Sequence, residues 1–129
     1  MIAVDSSVWI DHFRNVISRQ VSLLRSLFGR EELLVGDIVL LEVLRGARDD
    51  RHAMRLARDV HAFDVVPMLG DAMAVQAAQN FRALRAIGIT VRTSADLIIG
   101  TYCIERGHFL LHDDRDFEPM REHLGLRVV

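Results

Sequence analysis

The sequence predicts an α/β fold: a central parallel sheet flanked by helices on both faces, three layers in all. Three observations carry this reading. Short apolar runs alternate with helical patterns along the chain. The runs are mostly continuous rather than alternating, as strands covered on both faces must be. The first and fourth runs each end in a carboxylate, at the place where open parallel sheets bind their ligands. No internal repeat, low-complexity tract or linker interrupts the 129 residues, which suits a single domain over 1–129.

The elements follow in order. Ile2, Ala3 and Val4 make a short buried strand, and Asp5 ends it abruptly. Ser6 and Ser7 are N-cap types before a helix over 8–13. Asp5 itself is the competing candidate for that cap. Ser18 caps a second helix reaching about residue 28, with Val21, Leu24, Leu27 and Phe28 as its stripe and Gly29 as its stop. A strand over 33–35 leads through Gly36 and Asp37 into a third helix, 38–45, closed by Gly46. Asp49 or Asp50 opens a fourth, with Ala53, Leu56, Ala57 and Val60 at core spacing. A strand over 63–66 stops at Pro67.

The longest helix spans 71–86, its stripe being Ala74, Ala77, Ala78, Phe81 and Leu84, with Gly88 closing it. Thr93 and Ser94 open a sixth helix through Glu105, ended by Gly107. A strand over 109–111, a helical turn over 116–121 and a last strand over 126–129 complete the chain.

Composition narrows the chemistry. Net charge is −2, which provides no global basic field for non-specific nucleic-acid binding. All 16 basic residues are arginine. Without lysine the chain supports neither a P-loop nor a Schiff-base nucleophile, nor the lysine of phospho-acceptor receiver domains. No run approaches the ~20 apolar residues of a membrane span. The first residues lack a basic region before a hydrophobic one, so no secretory leader is expected. Cys103 is alone and sits in an apolar helical pattern, so a core role in a reducing, cytoplasmic setting is expected.

Four places bring acids to the same edge. Besides Asp5, Glu42 stands in the run Val39, Leu40, Leu41, Glu42, Val43, Leu44, where an ionised carboxylate needs a partner or a metal. Arg45, three residues on, is one available partner. Asp96 follows Thr93 by three, the spacing of a capping box, and the same geometry sets a carboxylate at a helix N-terminus beside a strand edge. Asp113, Asp114 and Asp116 come straight after an apolar strand and repel one another unless cations intervene. A solvated turn is the simpler reading of that last group. Together the four places form what a hard, oxygen-seeking cation requires.

These residues resemble the PIN-domain nucleases, and most closely their VapC-type toxins. The resemblance runs the length of the chain. It is carried by Val4, Asp5, Ser6, Ser7, Trp9 and Ile10; by Leu41, Glu42, Val43, Leu44, Arg45 and Gly46; by Ser94, Ala95, Asp96, Leu97 and Ile98; and by Leu110 to Phe117. It implies a PIN-like fold and an acidic tetrad of Asp5, Glu42, Asp96 and Asp114, with Asp5, Asp96 and Asp114 as metal ligands. Asp116 matches a further acid, and Ser6 or Ser7 a supporting hydroxyl. His112 departs from the pattern, which often has threonine or serine there.

The resemblance further implies Mg2+- or Mn2+-dependent cleavage of RNA at single-stranded sites, commonly in tRNA or rRNA. It implies as partners a VapB-type antitoxin and a second copy of the chain. Arg14, Arg45, Arg48, Arg92 and Arg115 lie near the acids in sequence and are candidates for the RNA backbone. Two other readings stand beside this one. Six histidines make a metal-free ribonuclease conceivable, although none forms a recognisable pair. A catalytically inactive module binding RNA or protein is the other, and four clustered carboxylates argue against it.

Overall fold

The computed structural model describes residues 1–129. Five parallel strands form one sheet: β1 (Ile2–Val4), β2 (Leu33–Gly36), β3 (Asp64–Val66), β4 (Phe109–Leu111) and β5 (Arg127–Val128). Their order is β3-β2-β1-β4-β5. The chain thus walks outward from β1 to β3, then returns to place β4 on the other side of β1. The reversal opens a crevice between the C-terminal ends of β1 and β4. Register brings Val4 beside Leu111, so both strands end level with one another.

Seven α-helices cover the sheet: α1 (Ser6–Phe13), α2 (Arg19–Leu27), α3 (Asp37–Arg45), α4 (Asp50–Val60), α5 (Asp71–Ala86), α6 (Ser94–Arg106) and α7 (Glu118–His123). Right-handed crossovers assign α1 to α4 to one face and α5 to α7 to the other. The three central strands read as continuous apolar runs because helices cover both their faces. Ala3, Val4, Leu34, Val35, Leu110 and Leu111 are all almost wholly buried. Trp9 wedges α1 onto this core, its ring between Phe13, Phe28 and Phe63. Cys103 is buried in α6.

The edge strands are the ones that shrink. The third apolar run loses Phe63, and the last keeps only Arg127–Val128 of its expected 126–129. The turn expected over 116–121 resolves into a single 3-10 turn, Arg115–Phe117, followed by α7. In α5, Ala77 and Leu84 are buried but Ala74 and Ala78 are exposed. Asn80 takes the buried place instead, donating from Nδ2 to Thr101 Oγ1 of α6 at 3.0 Å. Alanine fits either side of a helix, so its position carries little information about which face is inward. Helices α6 and α7 meet closely at Gly100, where a Cβ would run into the Met120 thioether.

Candidate active site

Asp5 leaves β1 at the centre of the sheet, and it is Asp5, rather than Ser6 or Ser7, that caps α1. Its Oδ2 accepts from the Ser7 backbone N–H at 3.1 Å and from the Ser7 hydroxyl at 2.6 Å. The expected cap at Ser6 or Ser7 is not the one made: Asp5 holds the extended backbone of the cap position and both serines lie inside the first turn. Capping uses only one oxygen. Asp5 Oδ1 is buried and has no hydrogen-bond partner. Burial pushes the Asp5 carboxyl up from 3.8 to about 6. The Ser7 bonds oppose that rise and the Glu42 charge adds to it.

The two serines divide the supporting work. Ser7 Oγ also accepts from the Asp113 N–H at 3.2 Å, tying the end of β1 to the end of β4. Ser6 Oγ donates to Glu42 Oε1 at 3.0 Å. The other Glu42 oxygen faces Arg45 at 3.7 Å. Glu42 is therefore oriented by a hydroxyl on one side and a guanidinium on the other. The apolar run around it is less buried than its composition implies, since Leu41 is 55% exposed.

Asp96 sits in the first turn of α6, nearly buried. Thr93 Oγ1 accepts from the Asp96 N–H at 3.2 Å. The reciprocal half of a capping box, from the Thr93 N–H to the Asp96 carboxylate, is not made. The carboxylate is thus left over from capping. Burial raises it to about 6, helped by the charges of Asp5, Asp114 and Glu42 and opposed by the Thr93 hydroxyl. The carboxyls of Asp96, Asp114 and Asp116 offer oxygens that lie within 4.8 Å of one another.

Asp114 and Asp116 belong to the turn after β4. Asp114 Oδ1 accepts from the Asp116 N–H at 2.9 Å, and the Asp114 N–H donates to His112 Nδ1 at 3.1 Å. Asp113 points away and is exposed, as adjacent residues leaving a strand do. Asp116 stands closer to the group than its distance from the strand end suggests, because the 3-10 turn folds it back. Its carboxyl faces Arg92 at 3.8 Å, a contact that sequence proximity alone does not reveal. Of the six histidines, only His112 touches these acids.

The donor set suits a divalent cation. An orphaned buried oxygen on Asp5, a cluster of three carboxyls and two carboxyls raised by burial all favour the arrival of positive charge. All the donors are oxygens, the preference of magnesium, manganese and calcium.

A parallel sheet with carboxylates gathered at its switch point defines the class of α/β proteins that bind their ligand at the strand ends. The PIN domain family model matches residues 2–122. The chain is 33% identical to the VapC ribonuclease Mb1587 of Mycobacterium bovis over 134 aligned positions, covering 100% of this chain and 98% of that one. Ribonuclease VapC11 of Mycobacterium tuberculosis matches to the same extent. The chain belongs to the PIN domain family, in its VapC branch.

Solved structures share the fold. VapBC2 from Rickettsia felis, bound to a DNA fragment from its promoter, superposes with a TM-score of 0.79 at 13% identity, covering 100% of this chain and 98% of that one. VapBC-1 from nontypeable Haemophilus influenzae does so with 0.76 at 16%, covering 100% and 97%. No helix of the chain is long and apolar enough to cross a membrane.

Proposed function

We propose that this chain is a Mg2+- or Mn2+-dependent endoribonuclease, a single PIN domain over 1–129, acting as the toxin of a VapBC-type toxin–antitoxin pair in the cytoplasm. The observation that carries the reading is the buried, unpartnered Asp5 Oδ1, whose charge acts on Asp96, together with the separate cluster that Asp96 forms with Asp114 and Asp116. A purely structural Asp5 would satisfy both oxygens or leave one in water. The full-length likeness to proteins named VapC ribonucleases supports the choice of RNA.

Asp5, Asp96 and Asp114 hold the cation, with Asp116 beside them. When bound, such a cation supplies positive charge against the transferring phosphate and makes water more acidic. The chain does the rest. Ser6 fixes Glu42 by a hydrogen bond to one oxygen, so that its carboxylate can orient a water and accept its proton. Ser7 keeps the ends of β1 and β4 in register, holding Asp5 and the Asp114 turn at one spacing. The likeness to VapC ribonucleases supports RNA, with single-stranded sites in tRNA or rRNA as the target class. The VapC20 of Mycobacterium tuberculosis, a neighbour in fold, is described as a sarcin-ricin loop cleaving toxin.

An active nuclease of this kind requires inhibition in its host. The solved neighbours include toxin–antitoxin complexes. A VapB-type antitoxin offering a basic group to the acid pocket, on a toxin homodimer, is the matching arrangement here.

The test is cleavage of cellular RNA by the purified protein. Excess EDTA abolishes it, Mg2+ or Mn2+ restores it, and the products carry a 3′-hydroxyl. Full activity in chelator, or a cyclic phosphate at the product end, overturns the proposal in favour of histidine acid–base chemistry. Binding of RNA without cleavage at any metal concentration favours the inactive module.

A further inference from the structure

Two guanidinium groups face the acid pocket, and they come from opposite sides of it. Arg45 reaches Glu42 at 3.7 Å from the end of α3, the helix that follows β2. Arg92 reaches Asp116 at 3.8 Å from the segment before α6, on the side of β4. The strand order sets β2 and β4 on either side of β1, so the two arginines bracket Asp5 across the crevice. Neither is held firmly. Their side chains are 70% and 81% exposed, and each makes one long contact rather than a forked pair. Surface pairs of this kind contribute little to stability. Of the other three candidates, Arg14 and Arg48 line a groove between α1, α3 and α4, and Arg115 has no carboxylate partner.

The charge of the pocket gives these loose contacts a use. Asp5, Glu42, Asp96, Asp114 and Asp116 are five carboxylates, met by two cations, Arg45 and Arg92. Resting on the function proposed above, we infer that Arg45 and Arg92 are exchangeable counter-ions. They neutralise the pocket while it holds no metal, and they turn to the phosphates flanking the scissile bond once a divalent cation takes their place. A guanidinium suits both duties, because its fork fits carboxylate and phosphate equally well. Placed on both sides of the pocket, the pair grips the backbone before and after the cut and leaves the central phosphate to the acids and their cation.

Exchange has a signature that a structural role lacks: two affinities move in opposite directions. The variants are Arg45→Gln and Arg92→Gln, with Arg30→Gln as the control. Arg30 precedes β2 at the far, N-terminal edge of the sheet and is exposed. Mn2+ affinity is read by calorimetry. RNA affinity is read by fluorescence anisotropy of a labelled single-stranded oligonucleotide of mixed sequence in Ca2+, with the oligonucleotide checked intact on a gel.

Each pocket variant binds Mn2+ about threefold more tightly, since a competing positive charge is gone. Each binds RNA about tenfold more weakly, the scale of one charge-assisted hydrogen bond. The salt dependence of RNA binding flattens by about 0.7 in slope per arginine removed. Arg30→Gln changes neither affinity, and Arg45→Lys and Arg92→Lys restore the salt slope but only part of the RNA affinity, because an ammonium keeps the charge and lacks the fork.

Weaker Mn2+ and weaker RNA binding together mean that the variants damaged the pocket, and overturn the exchange. Unchanged RNA affinity in both variants overturns it as well. Neither readout depends on turnover, so loss of metal-dependent cleavage in the wild type counts against the proposed function and not against this inference.

Discussion

The ends of β1 and β4 carry the same local design and come out differently. In each, an apolar strand leads to an aspartate, at once in β1 and after His112 and Asp113 in β4, and that aspartate accepts a hydrogen bond from the backbone N–H two residues on: Asp5 from Ser7, Asp114 from Asp116. At β1 the following segment is a full helix packed on the core, and Asp5 is 2% exposed. At β4 it is one 3-10 turn, and Asp114 is only half-buried. One motif thus yields a desolvated carboxyl with an orphaned oxygen in the centre, and a wetter carboxyl at the rim. The lesson is that the central strand supplies the strained charge, while the neighbouring strand supplies charges that can adjust to it.

The largest effect expected from that contrast is at Asp5. Asp5→Asn keeps the cap, because an amide oxygen accepts from Ser7 as a carboxylate does, but it removes the charge. Cleavage falls below detection, while the melting temperature of the metal-free protein stays equal or rises. Asp96→Asn behaves the same way. Retained cleavage in Asp96→Asn would reduce Asp96 to a capping-turn residue; a fall in melting temperature at either site would show that the ionised carboxyl stabilises the fold.

The pH dependence sharpens the same point. Asp5 and Asp96 titrate at about 6 in the folded protein and near 3.8 when unfolded. Between those values the folded state holds more protons than the unfolded one, so stability increases as pH falls through that window. The metal-free wild type therefore gains stability on going from about pH 7 to about pH 5 relative to the double variant Asp5→Asn, Asp96→Asn. Cation affinity changes the opposite way, falling as protons compete for the same oxygens. Parallel melting curves for the two proteins across this range would remove the strain from the central site.

The turn after β4 tests the rim. Asp114→Ala costs at least ~100-fold in single-turnover cleavage at saturating Mg2+, the scale of one electrostatic catalytic element. Asp116→Ala costs about tenfold, below that scale, because it shares the cluster from the far side of the turn. Asp113→Ala costs almost nothing, since its side chain is exposed and only its backbone N–H serves the site. A dead Asp113→Ala would redraw the site around Asp113.

Much of this arrangement is legible in the sequence. Buried strands announce themselves as apolar runs, and helix ends by their caps and glycines, so the element order follows directly. Asp5 and Glu42 stand out as carboxylates against apolar runs, whereas Asp96 in a capping position and Asp114 in an acidic turn are singled out by the family resemblance. What stays hidden is of another kind. Asp and Ser cap helices equally well, so local sequence does not decide between Asp5 and the two serines. Alanine marks no face, so the inward side of α5 had to come from Asn80 and Leu84. Arg92 meets Asp116 only because β4 returns beside β1, and topology of that range leaves no trace in a short window.

A modest effect, on metal affinity rather than on rate, is expected at His112, the one departure from the pattern that the resemblance implies. Its Nδ1 accepts the Asp114 N–H, so the ring proton lies on Nε2, which faces Glu118 Oε1 at 3.9 Å. Glu118 is held in turn by Arg121 Nε at 2.8 Å. Burial lowers the His112 pKa, which keeps Nδ1 free to accept. A hydroxyl oxygen accepts equally well, so the histidine preserves the bond while also packing its ring on Phe117 at 4.9 Å. His112→Asn retains an acceptor; His112→Phe retains the ring and removes the acceptor. The Phe variant leaves the Asp114 N–H unpaired, loosens the turn and weakens Mn2+ binding about fivefold, the scale of one neutral hydrogen bond. Its cleavage rate at saturating Mn2+ stays close to wild type, and His112→Asn recovers the affinity. Equal Mn2+ affinity in His112→Phe and wild type would show that the rim carboxyl needs no help from its own strand to find the centre.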